Sequence, residues 1–119
     1  MARITTTDDR LTVELRGLSR LWALRKGLTA PLAHVRGATA DPGARREPKG
    51  GRSPGLHVPG IAAVGTFHRD GERTLWEVYR GERAVVIQLS DEPYDRIVVE
   101  VRDPRSVVEQ INRAVAHRA

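Results

Sequence analysis

This chain of 119 residues has no cysteine, few aromatic residues and no long apolar run. Without cysteine there are no disulfides, no thiolate nucleophile and no Cys-ligated zinc, which fits a reducing compartment. No apolar run approaches the roughly 18 residues of a membrane-spanning helix. Residues 1–10 also lack the apolar core of a signal peptide. We therefore expect a cytoplasmic protein.

The five aromatic residues are Trp22, Phe67, Trp76, Tyr79 and Tyr94. Such scarcity leaves little surface on which nucleic-acid bases could stack. It also means that the core must be built largely from Val, Leu, Ile and Ala. The length suits a single core, so residues 1–119 are predicted to form one domain.

The net positive charge of the chain comes from its first half. Residues 1–60 hold 11 Lys/Arg against 5 Asp/Glu, or +6, whereas residues 61–119 hold 9 against 10, or −1. Of the 20 basic residues, 18 are Arg. This excess favours either a selected anion-binding surface or the codon usage of a GC-rich genome, and the sequence leaves both open.

The segment around residues 42–58 is rich in Pro, Gly and Arg and does not alternate in polarity. We expect a mobile basic loop, because such a composition has few groups that stabilise an ordered conformation. Its four cations, Arg45, Arg46, Lys49 and Arg52, are the candidate anion-binding residues. Acidic lipid headgroups at the inner membrane face could bind them at about 1 kcal/mol each. Nucleic-acid phosphates are the other anion considered, without base-specific recognition. A solvated loop with no ligand is the alternative.

Period-2 alternation predicts strands along most of the chain. Leu11, Val13 and Leu15 alternate with polar residues and are predicted to pair with residues 4–7 across the turn at Asp8-Asp9-Arg10. Two weaker strands are expected at 29–32 and 35–41. Residues 61–68, 74–79, 83–90 and 97–102 are predicted to form a four-stranded antiparallel meander, with a tight turn at Asp70-Gly71.

Two segments change to the helical period. A short helix is predicted near residues 17–25, where Leu21, Trp22 and Leu24 form either a candidate interface or part of the core. The second helix is predicted to begin at Asp103-Pro104, since Asp is a good N-cap and Pro suits the first helical position. Its apolar stripe consists of Val107, Val108, Ile111, Ala114 and Val115.

Several local features lie along nearly the whole chain: the first strand pair, Pro31-Leu32-Ala33-His34-Val35, Pro54-Gly55, Pro59-Gly60, Gly65-Thr66-Phe67, Trp76, the segment Val85–Leu89 and the last helix. In these features the chain resembles small bacterial pleckstrin-homology-like (PH-like) proteins of the actinobacterial type. The resemblance implies an α+β fold in which a strongly bent antiparallel sheet or barrel of about seven strands is capped by one C-terminal helix. It also implies a non-enzymatic module that binds proteins or assembles with itself. Lipid-binding members carry several bases in the first hairpin turn, where this chain has Thr7-Asp8-Asp9-Arg10.

The residues themselves favour no catalytic chemistry. The four histidines lack close ligand spacing, and no serine lies in a G-x-S-x-G elbow. No catalytic, metal or cofactor residue is therefore predicted. A non-enzymatic module with a protein partner or a second copy is expected, and the alternative is an anion-binding adaptor that acts through the basic loop.

Overall fold

A computed structural model describes residues 2–15, 27–43, 51–58, 62–79 and 83–117, with the backbone alone for Gly27, 51–58 and Ala62. These residues form nine strands and one α-helix. The strands are β1 (Arg3–Thr6), β2 (Arg10–Glu14), β3 (Gly27–Pro31), β4 (Val35–Ala40), β5 (Gly51–Val58), β6 (Ala62–Arg69), β7 (Glu72–Tyr79), β8 (Ala84–Leu89) and β9 (Arg96–Glu100). A 3-10 turn, Leu32–His34, joins β3 to β4, and the helix α1 spans Pro104–Ala116.

The first sheet has three strands in the order β1-β2-β3, all antiparallel. Leu11, Val13 and Leu15 are buried, as their alternation predicted. The turn between β1 and β2 is closed by Thr7, whose N–H donates to the Arg10 carbonyl at 2.9 Å. The predicted first hairpin is therefore confirmed.

The second sheet has six strands in the order β4-β8-β9-β7-β6-β5. The predicted meander of the last four strands is wrong, because β9 lies between β7 and β8 and runs parallel to β7. Strands β7, β8 and β9 are buried on both faces along most of their length. A strand that is apolar on both faces has no polar side to mark its position, so its sequence is compatible with several neighbours.

The predicted loop at 42–58 is wrong for its second part, since residues 51–58 form β5 at the edge of the sheet and pair with β6. The register shifts between Arg52 and Gly55, so the irregular part of the strand contains Ser53 and Pro54. Proline is tolerated at such irregularities and on edge strands because it cannot donate a ladder hydrogen bond. Because of Pro54, the sequence pattern did not predict strand β5.

Apolar clusters lie on both faces of the six-stranded sheet. On one face, Val85, Ile87, Ile97 and Val99 pack in a single cluster with residues of the three-stranded sheet and with Ile111 of α1. The other face carries Ala63, Phe67, Trp76, Val78, Ala84, Val86 and Val98. There, the Phe67 and Trp76 rings pack edge to face with centroids 6.4 Å apart.

Helix α1 begins as predicted. The Asp103 carboxylate accepts a hydrogen bond from the Ser106 N–H at 3.3 Å, and Pro104 occupies the first turn. Ile111 is fully buried, and the other four residues of the predicted stripe pack partly buried against the first cluster. The amphipathic pattern therefore identified the buried face correctly.

The α+β class with a terminal helix is confirmed, with nine described strands rather than about seven. These strands form two separate sheets and no closed barrel. The predicted short helix near residues 17–25 lies outside the described residues. Within the described ranges, no helix is both long and apolar enough to cross a bilayer.

Candidate functional site

Most of the site residues predicted from the sequence lie outside the described parts of the chain. These are Leu21, Trp22 and Leu24 of the candidate interface, and Arg45, Arg46 and Lys49 of the basic loop. The fourth basic residue, Arg52, belongs to strand β5, of which the structure describes the backbone. The structure therefore does not test the two predicted surfaces.

A cleft of about 540 Å³ lies between the first hairpin and helix α1. Its walls are formed by residues of these two elements: Thr6, Thr7, Asp8, Ser106, Glu109, Gln110, Arg113, Ala114 and His117. Ligand pockets in proteins occupy roughly 300–1,000 Å³, so this volume is large enough for a segment of a partner. We take this cleft as the candidate functional site.

The hairpin wall of the cleft is held by local hydrogen bonds. The Arg10 N–H donates to the Thr7 hydroxyl at 3.2 Å, and that hydroxyl donates to the Asp9 carboxylate at 3.3 Å. The turn is also attached to the 3-10 turn, because the Leu32 N–H donates to the Asp9 carbonyl at 2.8 Å. Short polar side chains such as these stabilise turns by forming hydrogen bonds with nearby backbone and side-chain groups of the turn.

The helix wall is held in place by two side-chain amides. Gln110 donates from Nε2 to the Thr6 hydroxyl at 3.2 Å and so links the two walls. Asn112 points to the other side, where its Oδ1 accepts from the Ala38 N–H at 2.9 Å and its Nδ2 donates to the Ala38 carbonyl at 3.0 Å. The separation between the walls is thus set by specific contacts on both sides of the helix.

Most residues that line the cleft are polar by type, and they carry charge of both signs. Ala114 is its one aliphatic residue among the described residues, and Asp8, Glu109 and Arg113 contribute the formal charges. Asp8, Glu109 and Arg113 are exposed, and within the described residues none of them has an ion-pair partner within 4.0 Å. Their charges are therefore accessible to a partner that enters the cleft.

A serine and a histidine lie in this cleft, but they cannot act together. Ser106 lies in the first turn of α1 and His117 is the residue that caps its C-terminal end, eleven residues later, which is an axial separation of about 16 Å. A nucleophile and its base must be within hydrogen-bond distance. Ser106 and His117 therefore do not form a nucleophile–base pair in this cleft.

Other polar clusters have structural partners. His34 Nδ1 lies 2.7 Å from the Glu92 carboxylate and connects the 3-10 turn to the turn after β8. The Arg73 N–H donates to the Asp95 carboxylate at 2.8 Å. These two acids therefore attach the turn after β8 to neighbouring elements.

Within the described residues, no group of three or more His, Asp or Glu side chains is arranged to hold a metal ion. No family model, curated protein or solved structure matches this chain.

One wall of the cleft could be predicted from the sequence, and the other could not. The polar residues of α1 that line it recur at helical spacing beside the apolar stripe, so a solvent-facing stripe could be predicted. The element that faces this stripe could not, because Thr6 and Gln110 are 104 residues apart.

Proposed function

We propose that this chain is a non-enzymatic PH-like binding or assembly module whose partner is a protein. The observation that carries the proposal is the cleft between the first hairpin and α1, which has a suitable volume and a polar, charged lining. The resemblance of the sequence to PH-like proteins supports the same class of function.

The lining favours a polypeptide over a lipid or an aromatic cofactor. Small-molecule sites are lined mainly by apolar and aromatic side chains, whereas this cleft presents hydroxyls, a side-chain amide and charges. Hydroxyls and amides are suited to hydrogen bonds with the main chain of an extended segment. A protein segment is therefore the occupant that the lining suits best.

The proposal is tested by selecting peptides from a displayed random library on the wild-type protein. Ser106→Trp would fill the cleft from an exposed position, and Arg105→Trp would add the same side chain at an exposed helix position outside the lining. We expect Ser106→Trp to weaken the selected peptides at least tenfold and Arg105→Trp to leave them within twofold. Equal binding by both variants, with unchanged thermal unfolding, would contradict the proposal.

If the protein acts as an assembly module, its partner is a second copy of the chain. Leu21, Trp22 and Leu24 are its candidate interface. Size-exclusion chromatography with light scattering, combined with urea unfolding, tests it through Trp22→Ala. If the wild type is oligomeric and the variant is a folded monomer, Trp22 is interfacial. If the variant unfolds, Trp22 belongs to the core.

The second candidate is an anion-binding adaptor, favoured by the charge of +6 in residues 1–60. It would contact acidic headgroups or phosphates through Arg45, Arg46, Lys49 and Arg52, and its affinity would fall as salt rises. Co-sedimentation with anionic and neutral vesicles at two salt concentrations tests it, using a variant with Ala at all four positions. A matched control replaces four exposed arginines elsewhere, at Arg69, Arg83, Arg102 and Arg105. Binding that only the first variant loses would support membrane contact.

A further inference from the structure

The cleft contains a pair of opposite charges at a defined spacing. Glu109 and Arg113 both line it, both are exposed, and they lie four residues apart on α1, which corresponds to an axial rise of about 6 Å. Glu followed by a base four residues later is the favourable order for an ion pair along a helix. Within the described residues, however, no such pair forms within 4.0 Å.

The spacing of this pair matches that of an extended polypeptide. In an extended strand, side chains at positions i and i+2 lie on the same side, about 6.6 Å apart. A segment lying along α1 could therefore place a basic side chain against Glu109 and an acidic side chain against Arg113 simultaneously. Asp8 on the hairpin wall adds a second carboxylate to the same cleft.

Resting on the proposed function, we propose that the cleft selects an extended protein segment with a basic and an acidic residue two positions apart. Glu109 and Arg113 determine this specificity. The Ser106 hydroxyl contacts the main chain of the segment, and the Thr7 hydroxyl, which already donates to Asp9, contacts it as an acceptor. The two charges can occur in either order along the segment, because a segment with the opposite order of charges meets Glu109 and Arg113 by running in the opposite direction.

Three heptapeptides with blocked ends provide the test: Gly-Ser-Lys-Ser-Glu-Ser-Gly, its form with two Lys and its form with two Glu. Binding is measured from amide shifts in nitrogen–proton correlation spectra of the full chain, which also locate the peptide. We expect the mixed peptide to bind the wild type most tightly, with shifts at Thr7, Glu109 and Arg113. Each correct charge contact is worth roughly fivefold in affinity, the upper range for an exposed ion pair.

Charge reversal should change this preference in a defined way. Glu109→Lys is expected to favour the peptide with two Glu, and Arg113→Glu the peptide with two Lys, each by roughly fivefold or more. Arg105→Glu, on the same helix but outside the lining, should leave the wild-type order unchanged. Both preferences should largely disappear at 1 M salt.

The possible results separate this inference from the function on which it rests. Cleft shifts of equal size with all three peptides, or variants that keep the wild-type order, would overturn the charge specificity but leave a peptide-binding cleft. Absence of cleft shifts with the mixed peptide, while library-selected peptides bind there, would also overturn the inference alone. If neither the heptapeptides nor selected peptides bind at the cleft, the proposed function fails as well.

Discussion

Asn112 on helix α1 pairs with both main-chain polar groups of Ala38 on β4, although 74 residues separate them in the chain. Strand β4 is at the edge of the six-stranded sheet, with β8 on its other side. Since an unpaired edge presents open N–H and C=O groups, the Asn112 amide replaces part of a missing neighbouring strand. The same contact fixes the helix that forms one wall of the cleft.

Replacement of Asn112 by Ala should destabilise the protein, because it leaves the N–H and C=O of Ala38 without their amide partner. Loss of hydrogen bonds to partly buried groups costs about 1–3 kcal/mol. Urea unfolding would measure this change, and faster hydrogen exchange at the Ala38 amide would locate it. Gln110→Ala is the control, since it removes a single side-chain bond from the same helix. An unchanged unfolding midpoint for Asn112→Ala would contradict the role assigned to this contact.

Replacement of Gly37 by Ala is expected to cost at least about 1 kcal/mol, because the native backbone conformation suits glycine. Its φ is +156°, and an added Cβ would lie 3.3 Å from Asn112 Oδ1. The register of β4 against β8 also shifts at this point. Thermal unfolding of the variant would reveal the loss.

Gly43 provides a matched control for that substitution. An added Cβ there would meet Asp41 Oδ1 at an ordinary 3.6 Å. Gly43→Ala should therefore change the free energy of unfolding little, or raise it slightly by restricting the unfolded chain. Equal losses for both glycine variants would show that the conformation at Gly37 is not special.

Replacement of Tyr94 by Phe should destabilise the fold by about 1–2 kcal/mol through the loss of its buried hydrogen bond with Thr66. The Tyr94 hydroxyl lies 3.0 Å from the Thr66 hydroxyl, and both residues are buried. The Arg73 guanidinium, 4.9 Å from the centre of the same ring, could still stack on Phe.

A double-mutant cycle with Thr66→Val separates the hydrogen bond from other effects of the change. Removing both hydroxyls should cost less than the sum of the two single variants, because each single variant leaves the other hydroxyl without this bond, whereas the double variant removes both. Additive losses in chemical unfolding would mean that the two hydroxyls do not interact.

Strand β5 should show slow amide exchange at the positions that hydrogen-bond to β6. A synthetic peptide with the sequence of residues 51–58 is the unstructured reference. We expect protection of about half of the β5 amides relative to this peptide, because alternate N–H groups of an edge strand point away from the sheet. Exchange as fast as in the peptide throughout residues 51–58 would contradict strand β5 and support the loop predicted from composition.

Local features of this fold could be predicted because their causes lie within a few residues. Asp70 and Gly71 have φ values of +53° and +77°, the conformation that a tight hairpin turn requires and that Asp-Gly adopts readily. Asp103 and Pro104 begin the last helix for equally local reasons, and Ile111 lies at the centre of a stripe that periodicity alone reveals. In each case the feature is encoded by residues close together in the chain.

The strand order and the cleft depended on contacts between distant residues. Val86 and Val98 are buried in a sheet with apolar clusters on both faces, so alternation shows that their strands are internal without showing which strands are adjacent. Pro54 made β5 unlike a strand, and pairing with β6 overcame that local preference. Thr6 and Gln110 are brought within hydrogen-bond distance by the packing of the helix beside the first hairpin. Periodicity reports which side of an element is buried, whereas the identity of its neighbour is decided by the free energy of packing the whole chain.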